Sequence, residues 1–221
     1  MERAVERLTA MESAWVTTPG GLPINVSEGP DIDIVGQAIG RGGDTILLFD
    51  SSGNPVAEYV LTSAGLTAAL AAATAGDIIT LPACTIAGDH TIPATVHVVG
   101  LARFGVILTG QVTGGTGASL ENCCITRTAN DANVLYGVVA PATGTFYLSH
   151  VNVLVTQAGA GNAAAIYSNA GGDVEAWNCS LRAPAGGAGW HYGVYLDAGG
   201  NITYIEGGVC IGFTGATNWS P

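Results

Sequence analysis

No lysine occurs among the 221 residues, and six arginines stand against 17 acids, giving a formal net charge of −11 at pH 7. Binding to a phosphate backbone draws on clustered Lys and Arg. Here Arg3, Arg7, Arg41, Arg103, Arg127 and Arg182 are scattered along the chain. Nucleic acid is therefore not an expected partner, and an anionic membrane surface is disfavoured for the same reason. Charged residues make up only 10% of the chain, against roughly 25% in an ordinary soluble domain. Long apolar runs are missing as well. The most apolar stretch, Leu66 to Ala75, ends at Gly76 and Asp77, short of the about 18 residues that mark a membrane helix. No membrane insertion is expected. The first seven residues carry acids and lack the apolar core of a secretory signal. Cysteine is sparse and odd in number, at five, so the thiols read as buried groups rather than a disulfide framework.

What remains is glycine, 33 residues, and a hydrophobic set of 48%. That combination predicts a packed, turn-rich fold with a continuous core. Four segments follow along the chain. Over residues 1–22, the apolar positions Ala4, Val5, Leu8, Met11, Ala14 and Trp15 recur at spacings of three and four, which predicts an amphipathic helix from Glu2 to Val16. Val5, Leu8, Met11 and Trp15 are its oligomerisation stripe. Self-association as a short coiled coil and docking on the same chain both remain open. Residues 23–61 read as a small β collar, with Thr45–Phe49 and Pro55–Val60 as a hairpin around Asp50-Ser51-Ser52-Gly53-Asn54. Asp31, Asp33 and Asp44 in this segment lack the glycine and terminal Glu of an EF-hand loop and read as turn carboxylates. Residues 62–76 read as a capped, alanine-rich helix plugging the open end of the core that follows.

Residues 77–221 carry an internal repeat. Tyr136 to Val153, Ala164 to Leu181 and Tyr192 to Val209 superimpose without gaps at an offset of 28 residues. Val138, Ile166 and Val194 fall together, as do Phe146, Val174 and Ile202, then Leu148, Ala176 and Tyr204, then Val153, Leu181 and Val209. One further copy reaches back to Ala118, Leu120 and Ile125. Within each copy apolar residues alternate over short runs, as in Val174 and Ala176 against Asp173, Glu175 and Trp177. Strand spacing of this kind predicts an all-β parallel solenoid of about 28-residue coils, four or five in number and stacked about 4.8 Å apart.

Gly76-Asp77-Ile78-Ile79-Thr80-Leu81-Pro82-Ala83-Cys84-Thr85-Ile86, followed by Thr91-Ile92-Pro93-Ala94-Thr95-Val96-His97-Val98-Val99-Gly100, resembles the opening of the right-handed parallel β-helix, pectin-lyase-like superfamily. Cys84 stands where that family usually has glycine, and Ile86 where it often has tyrosine. The resemblance spans roughly residues 63 to 213. It implies a capping helix leading into the coils and, in the family's enzymes, acidic clusters or calcium with a basic residue on the outer face.

No such cluster is expected here. Aligned by the repeat, no column stacks two carboxylates, and the only arginine in the last three coils is Arg182. No catalytic residue, cofactor or metal is assigned. His90 beside Asp89 and His191 beside Trp190 lack further ligands at a usable spacing. The column Asn122, His150, Asn178 and Glu206 reads as a polar ladder at the tight bend between strands. Outward parity places Tyr147, Tyr167, Trp177, Tyr195 and Ile205 on outer faces, and Trp190 and Tyr192 extend that group. These rings suit either a glycan platform or an interface between protomers.

Taken together, these features resemble bacteriophage tail-fibre and virion-appendage proteins. The expected function is a non-catalytic virion structural protein, a homo-oligomer and most simply a trimer. Other virion proteins and cell-surface polysaccharide are its expected partners, and the virion, assembled in a host cytoplasm, its expected location. A self-assembling extracellular β-solenoid filament is the first alternative, and a polysaccharide lyase or hydrolase using Asp173 and Glu175 the second.

Overall fold

The computed structural model describes residues 15–17, 23–25, 45–102, 105–168, 171–184, 188–197, 204–212 and 214–217. The chain divides into two compact units, Met1–Thr45 and Ile46–Pro221. In the first, strand β1 (Trp15–Thr17) pairs antiparallel with β2 (Pro23–Asn25), with Trp15 opposite Asn25. This corrects the expected helix at its C-terminal end. Trp, Val and Thr favour the pleated surface, and β2 supplies the partner strand. Val5, Leu8 and Met11 lie outside the described residues, as do Asp31, Asp33 and Asp44.

The second unit opens with β3 (Thr45–Phe49) and β4 (Pro55–Val60), adjacent in one sheet. Asp50 closes the turn between them. Its Oδ2 accepts from Asn54 Nδ2 at 2.9 Å and its Oδ1 from the Asn54 and Ser52 backbone N–H groups at 2.8 and 2.9 Å, and these bonds, the Asn54 side chain's first, hold its carboxyl below the usual carboxylate range. Helix α1 (Ser63–Ala72) follows, with the Thr62 hydroxyl accepting from the Gly65 N–H at 3.1 Å as an N-cap. Gly65, Leu66, Ala69 and Leu70 form its buried face.

From Ile78 the chain runs as six tiers of three short strands. The first holds β5 (Ile78–Leu81), β6 (Cys84–Ala87) and β7 (His90–Ile92); the second β8 (His97–Gly100), β9 (Val106–Thr109) and β10 (Val112–Gly114). The third holds β11 (Ser119–Glu121), β12 (Cys123–Ala129) and β13 (Leu135–Val139); the fourth β14 (Gly144–Ser149), β15 (Asn152–Gln157) and β16 (Ala163–Ser168). The fifth holds β17 (Gly172–Trp177), β18 (Ser180–Ala183) and β19 (His191–Leu196); the sixth β20 (Tyr204–Glu206), β21 (Val209–Gly212) and β22 (Gly215–Thr217).

Each tier gives one strand to each of three sheets, and neighbouring tiers pair in parallel. The first sheet runs β20-β17-β14-β11-β8-β5-β3-β4, with β3 antiparallel to β5; the second runs β21-β18-β15-β12-β9-β6 and the third β22-β19-β16-β13-β10-β7. Alternation sends every second side chain inward. Ile79, Val98, Leu120, Leu148 and Ala176 form one buried column of the first sheet, and Ile86, Leu108, Ile125, Val153 and Leu181 the matching column of the second. The third sheet adds Val112, Val138, Ile166 and Val194, and all three columns belong to one core with the α1 face. Each fully buried aliphatic side chain contributes about 1.5–3 kcal/mol.

The tiers are not of constant length. On the first sheet Ile78 pairs with His97, His97 with Ser119, Ser119 with Tyr147, Gly144 with Gly172 and Glu175 with Tyr204, steps of 19, 22, 28, 28 and 29 residues. The 28-residue step therefore holds across the third, fourth and fifth tiers, and the last step gains one residue. Because the side-chain period of a strand is two, that single residue reverses the expected facing of the sixth tier. Ala176 pairs with Ile205, not Tyr204, and Leu181 pairs with Cys210, not Val209. Ile205 is thus corrected from an outer to an inner position, where it packs against the core.

The same slip revises the bend ladder. Asn122, His150 and Asn178 adopt φ of 55°, 54° and 53°, the left-handed conformation that bulky side chains avoid and Asn tolerates. Their backbone N–H groups donate to Ser149, Trp177 and Glu206 carbonyls of the next tier at 3.0, 2.9 and 2.7 Å. Asn178 Nδ2 lies 3.5 Å from His150 Nε2. Gly207, at φ 66°, takes the next left-handed position, and Glu206 sits beside Trp177 on the strand instead.

Candidate functional site

The predicted rings divide between two sheets. On the third sheet Tyr167 pairs in register with Tyr195, and Ala164 with both Tyr136 and Tyr192. The small Ala164 leaves room for the Tyr136 ring to fold over Tyr167. The two ring centroids stand 4.1 Å apart at 13°, Tyr167 and Tyr195 stand 6.1 Å apart at 10°, and Tyr195 and Trp190 4.1 Å apart at 9°. Tyr192 closes the ladder, tilted by 39° to Trp190 and 37° to Tyr195. Five half-buried rings therefore run across three tiers. Tyr167 donates its hydroxyl to Asp197 Oδ2 at 3.1 Å. Burial, then the neighbouring Tyr167 and Tyr195 phenols and Asp197, push the Tyr136 phenol up to about 12.

This geometry constrains what the ladder can bind. A sugar ring stacks on an aromatic face, and Tyr167 and Tyr195 each already stack against two neighbouring rings. Among the described residues, Tyr136 and Trp190 each stack against one ring, and Tyr192 meets its neighbours tilted. Tyr136 was not singled out in the sequence, because its register partner Ala164 is not aromatic and its contact with Tyr167 is diagonal.

Tyr147 and Trp177 lie on the first sheet, with centroids 5.9 Å apart and planes at 13°. Outward positions around them carry Glu121, Asp173, Glu175 and Glu206, and among the described residues this face has no arginine. Asp173 and Glu175 stand two apart on the same outer face, as expected. In register, Glu175 pairs with Tyr147 and Tyr204, and Glu206 with Trp177, and Glu121 shares the Glu206 column only across Ser149 and Trp177, so no two of these carboxylates are register neighbours.

No protein family, curated protein or solved structure matches this chain.

The histidines and cysteines stay in the frame of the fold. His90 heads the apolar column of Val112 and Val138, and its Nε2 is buried without a hydrogen-bond partner. Burial lowers its pKa, against the opposing effects of the Ala87 carbonyl and Asp89. It lines a cleft of about 320 Å³ with Thr67, Leu70 and Ala71 of α1. Arg127 donates to Gln111 Oε1 at 2.8 Å and the Tyr136 carbonyl at 3.0 Å, and stands 3.9 Å from Asp89. Among the described residues no group of three His, Cys, Asp or Glu side chains is placed to hold a metal ion. All five cysteines are free thiols, and burial raises the pKa of each, most strongly at Cys123.

Proposed function

We propose that this chain is a non-catalytic structural protein of a virion appendage, built as a right-handed parallel β-helix of the pectin-lyase-like type and working as a homo-oligomer. The five-ring ladder carries this reading. Its rings spend their faces on one another across tiers, which stiffens a surface rather than opening a cleft for chemistry. Support also comes from the rotation of strands through three sheets around one apolar core, from the lack of lysine, and from the placing of Asp173, Glu175 and Glu206 in separate columns of the first sheet. Val5, Leu8 and Met11 of the expected stripe are assigned to self-association or to docking on another virion protein. Host-surface glycans are assigned to the end rings Trp190 and Tyr192. The virion setting follows from the resemblance of these features to tail-fibre and virion-appendage proteins.

Incubation with bacterial surface polysaccharides tests the reading. Retention of polymer without release of reducing ends or unsaturated products is the expected result, with Trp190→Ala weakening retention. Release of product in excess of protein would favour the lyase or hydrolase alternative. The filament alternative predicts fibres by negative-stain microscopy, where discrete particles are expected.

A further inference from the structure

The outer faces of the first and second sheets differ sharply in character. Among the described residues, the outward positions of the second sheet carry no acid. Leu154, Arg182 and Ile211 form one outward column there, with Val209 two residues from Ile211. Leu154, Val209 and Ile211 are 40%, 42% and 49% exposed, an unusual display for aliphatic side chains on a soluble surface. Arg182, exposed and bonded through Nε to Ser180 Oγ at 2.9 Å, sits in the middle of them. The first sheet presents the opposite surface, with the Tyr147–Trp177 pair among Asp173, Glu175 and Glu206 and, among the described residues, no arginine.

Height is the deciding feature. Leu154 belongs to the fourth tier, Arg182 to the fifth and Ile211 to the sixth; Tyr147 belongs to the fourth, Glu175 and Trp177 to the fifth and Glu206 to the sixth. Two different patches that meet head-to-tail close a ring only when the operation relating them has no rise along its axis, and otherwise grow a filament. Patches at equal height meet that condition for copies standing side by side with parallel stacking axes.

We infer that the second-sheet face of one copy docks on the first-sheet face of the next, Arg182 against the Glu175 carboxylate and Leu154, Val209 and Ile211 against Tyr147 and Trp177, to close a cyclic homo-oligomer. The occupant is a second copy of this chain because each surface supplies what the other lacks: apolar area and one cation on one side, rings and acids on the other. The inference goes beyond the stripe over residues 2–16 and stands or falls separately from it.

Charge reversal in the full chain tests it. Light scattering on the wild type should give an integer multiple of 22.2 kDa. Arg182→Glu and Glu175→Arg should each lower that mass, in the wild-type background or in Leu8→Glu, with far-UV circular dichroism unchanged. Combining Arg182→Glu with Glu175→Arg should restore it. A wild-type mass of one chain, a mass unaffected by Arg182→Glu in both backgrounds, or failure of the reversed pair to restore assembly would overturn the inference. Loss of assembly in Arg182→Glu with none in Leu8→Glu would support this interface while removing the stripe.

Discussion

Packing between Gly114 and Phe146 gives the sharpest test of the tiered core. Phe146 is fully buried, and a Cβ built on Gly114 would fall onto its ring atoms Cγ, Cδ1 and Cδ2. Gly114 does not have positive φ, so space alone requires glycine there. Gly114→Ala should cost about 1–3 kcal/mol by overpacking, and Phe146→Ala about 3–5 kcal/mol by lost burial and cavity formation. In the double variant the added methyl enters the space the ring has left. The two changes should then couple, with the double variant more stable than the sum of the singles predicts by about 0.5–3 kcal/mol. Urea unfolding of all four proteins, followed by tryptophan fluorescence and circular dichroism, measures the cycle. Additivity within about 0.5 kcal/mol would refute the claim that this ring occupies the Gly114 site.

Three further outcomes follow from the ladders and buried groups. Asn178→Ala, at φ 53°, should lose about 1–2 kcal/mol from left-handed strain, while Asn178→Gly should lose less; equal losses in urea midpoints would contradict the bend assignment. His90 has a folded pKa lowered by burial beneath the uncharged α1, which outweighs the raising effects of the Ala87 carbonyl and the neighbouring Asp89 carboxylate. The unfolded chain then binds the proton more readily, so stability should be full above pH 6.5 and fall as pH drops below it, and His90→Leu should flatten that slope in midpoints measured between pH 7 and 5. Tyr136, pushed up to about 12, should give a late step in an ultraviolet titration, and Tyr136→Phe should remove that late step.

Much of this fold is legible in the sequence where the repeat is regular. Val138, Ile166 and Val194 share a column because tiers three to five keep the third-sheet step at 28 residues. The alternation of Val174 and Ala176 against Glu175 and Trp177 gives their facing directly. Legibility fails where length changes. A residue gained between Leu196, still in the 28-residue step, and Ile205 reverses the last tier, and periodicity within that tier reads equally well in either register. The first tiers are shorter, with steps of 19 and 22, so they fall outside a 28-residue search and show only in the resemblance. Trp15 fits the helical stripe by spacing alone, yet it stands in β1, where a neighbouring strand overrides periodicity. The ring surface was legible as outward parity but not as two faces, because parity within a strand does not say which sheet a strand joins.

The central claim, that this is an assembling structural protein rather than an enzyme or a filament, is tested most directly by the solution mass of the full chain across a tenfold range of concentration. The account predicts one fixed multiple of 22.2 kDa throughout, with a trimer the simplest case. A mass of a single chain, or one that keeps growing with concentration, would contradict it.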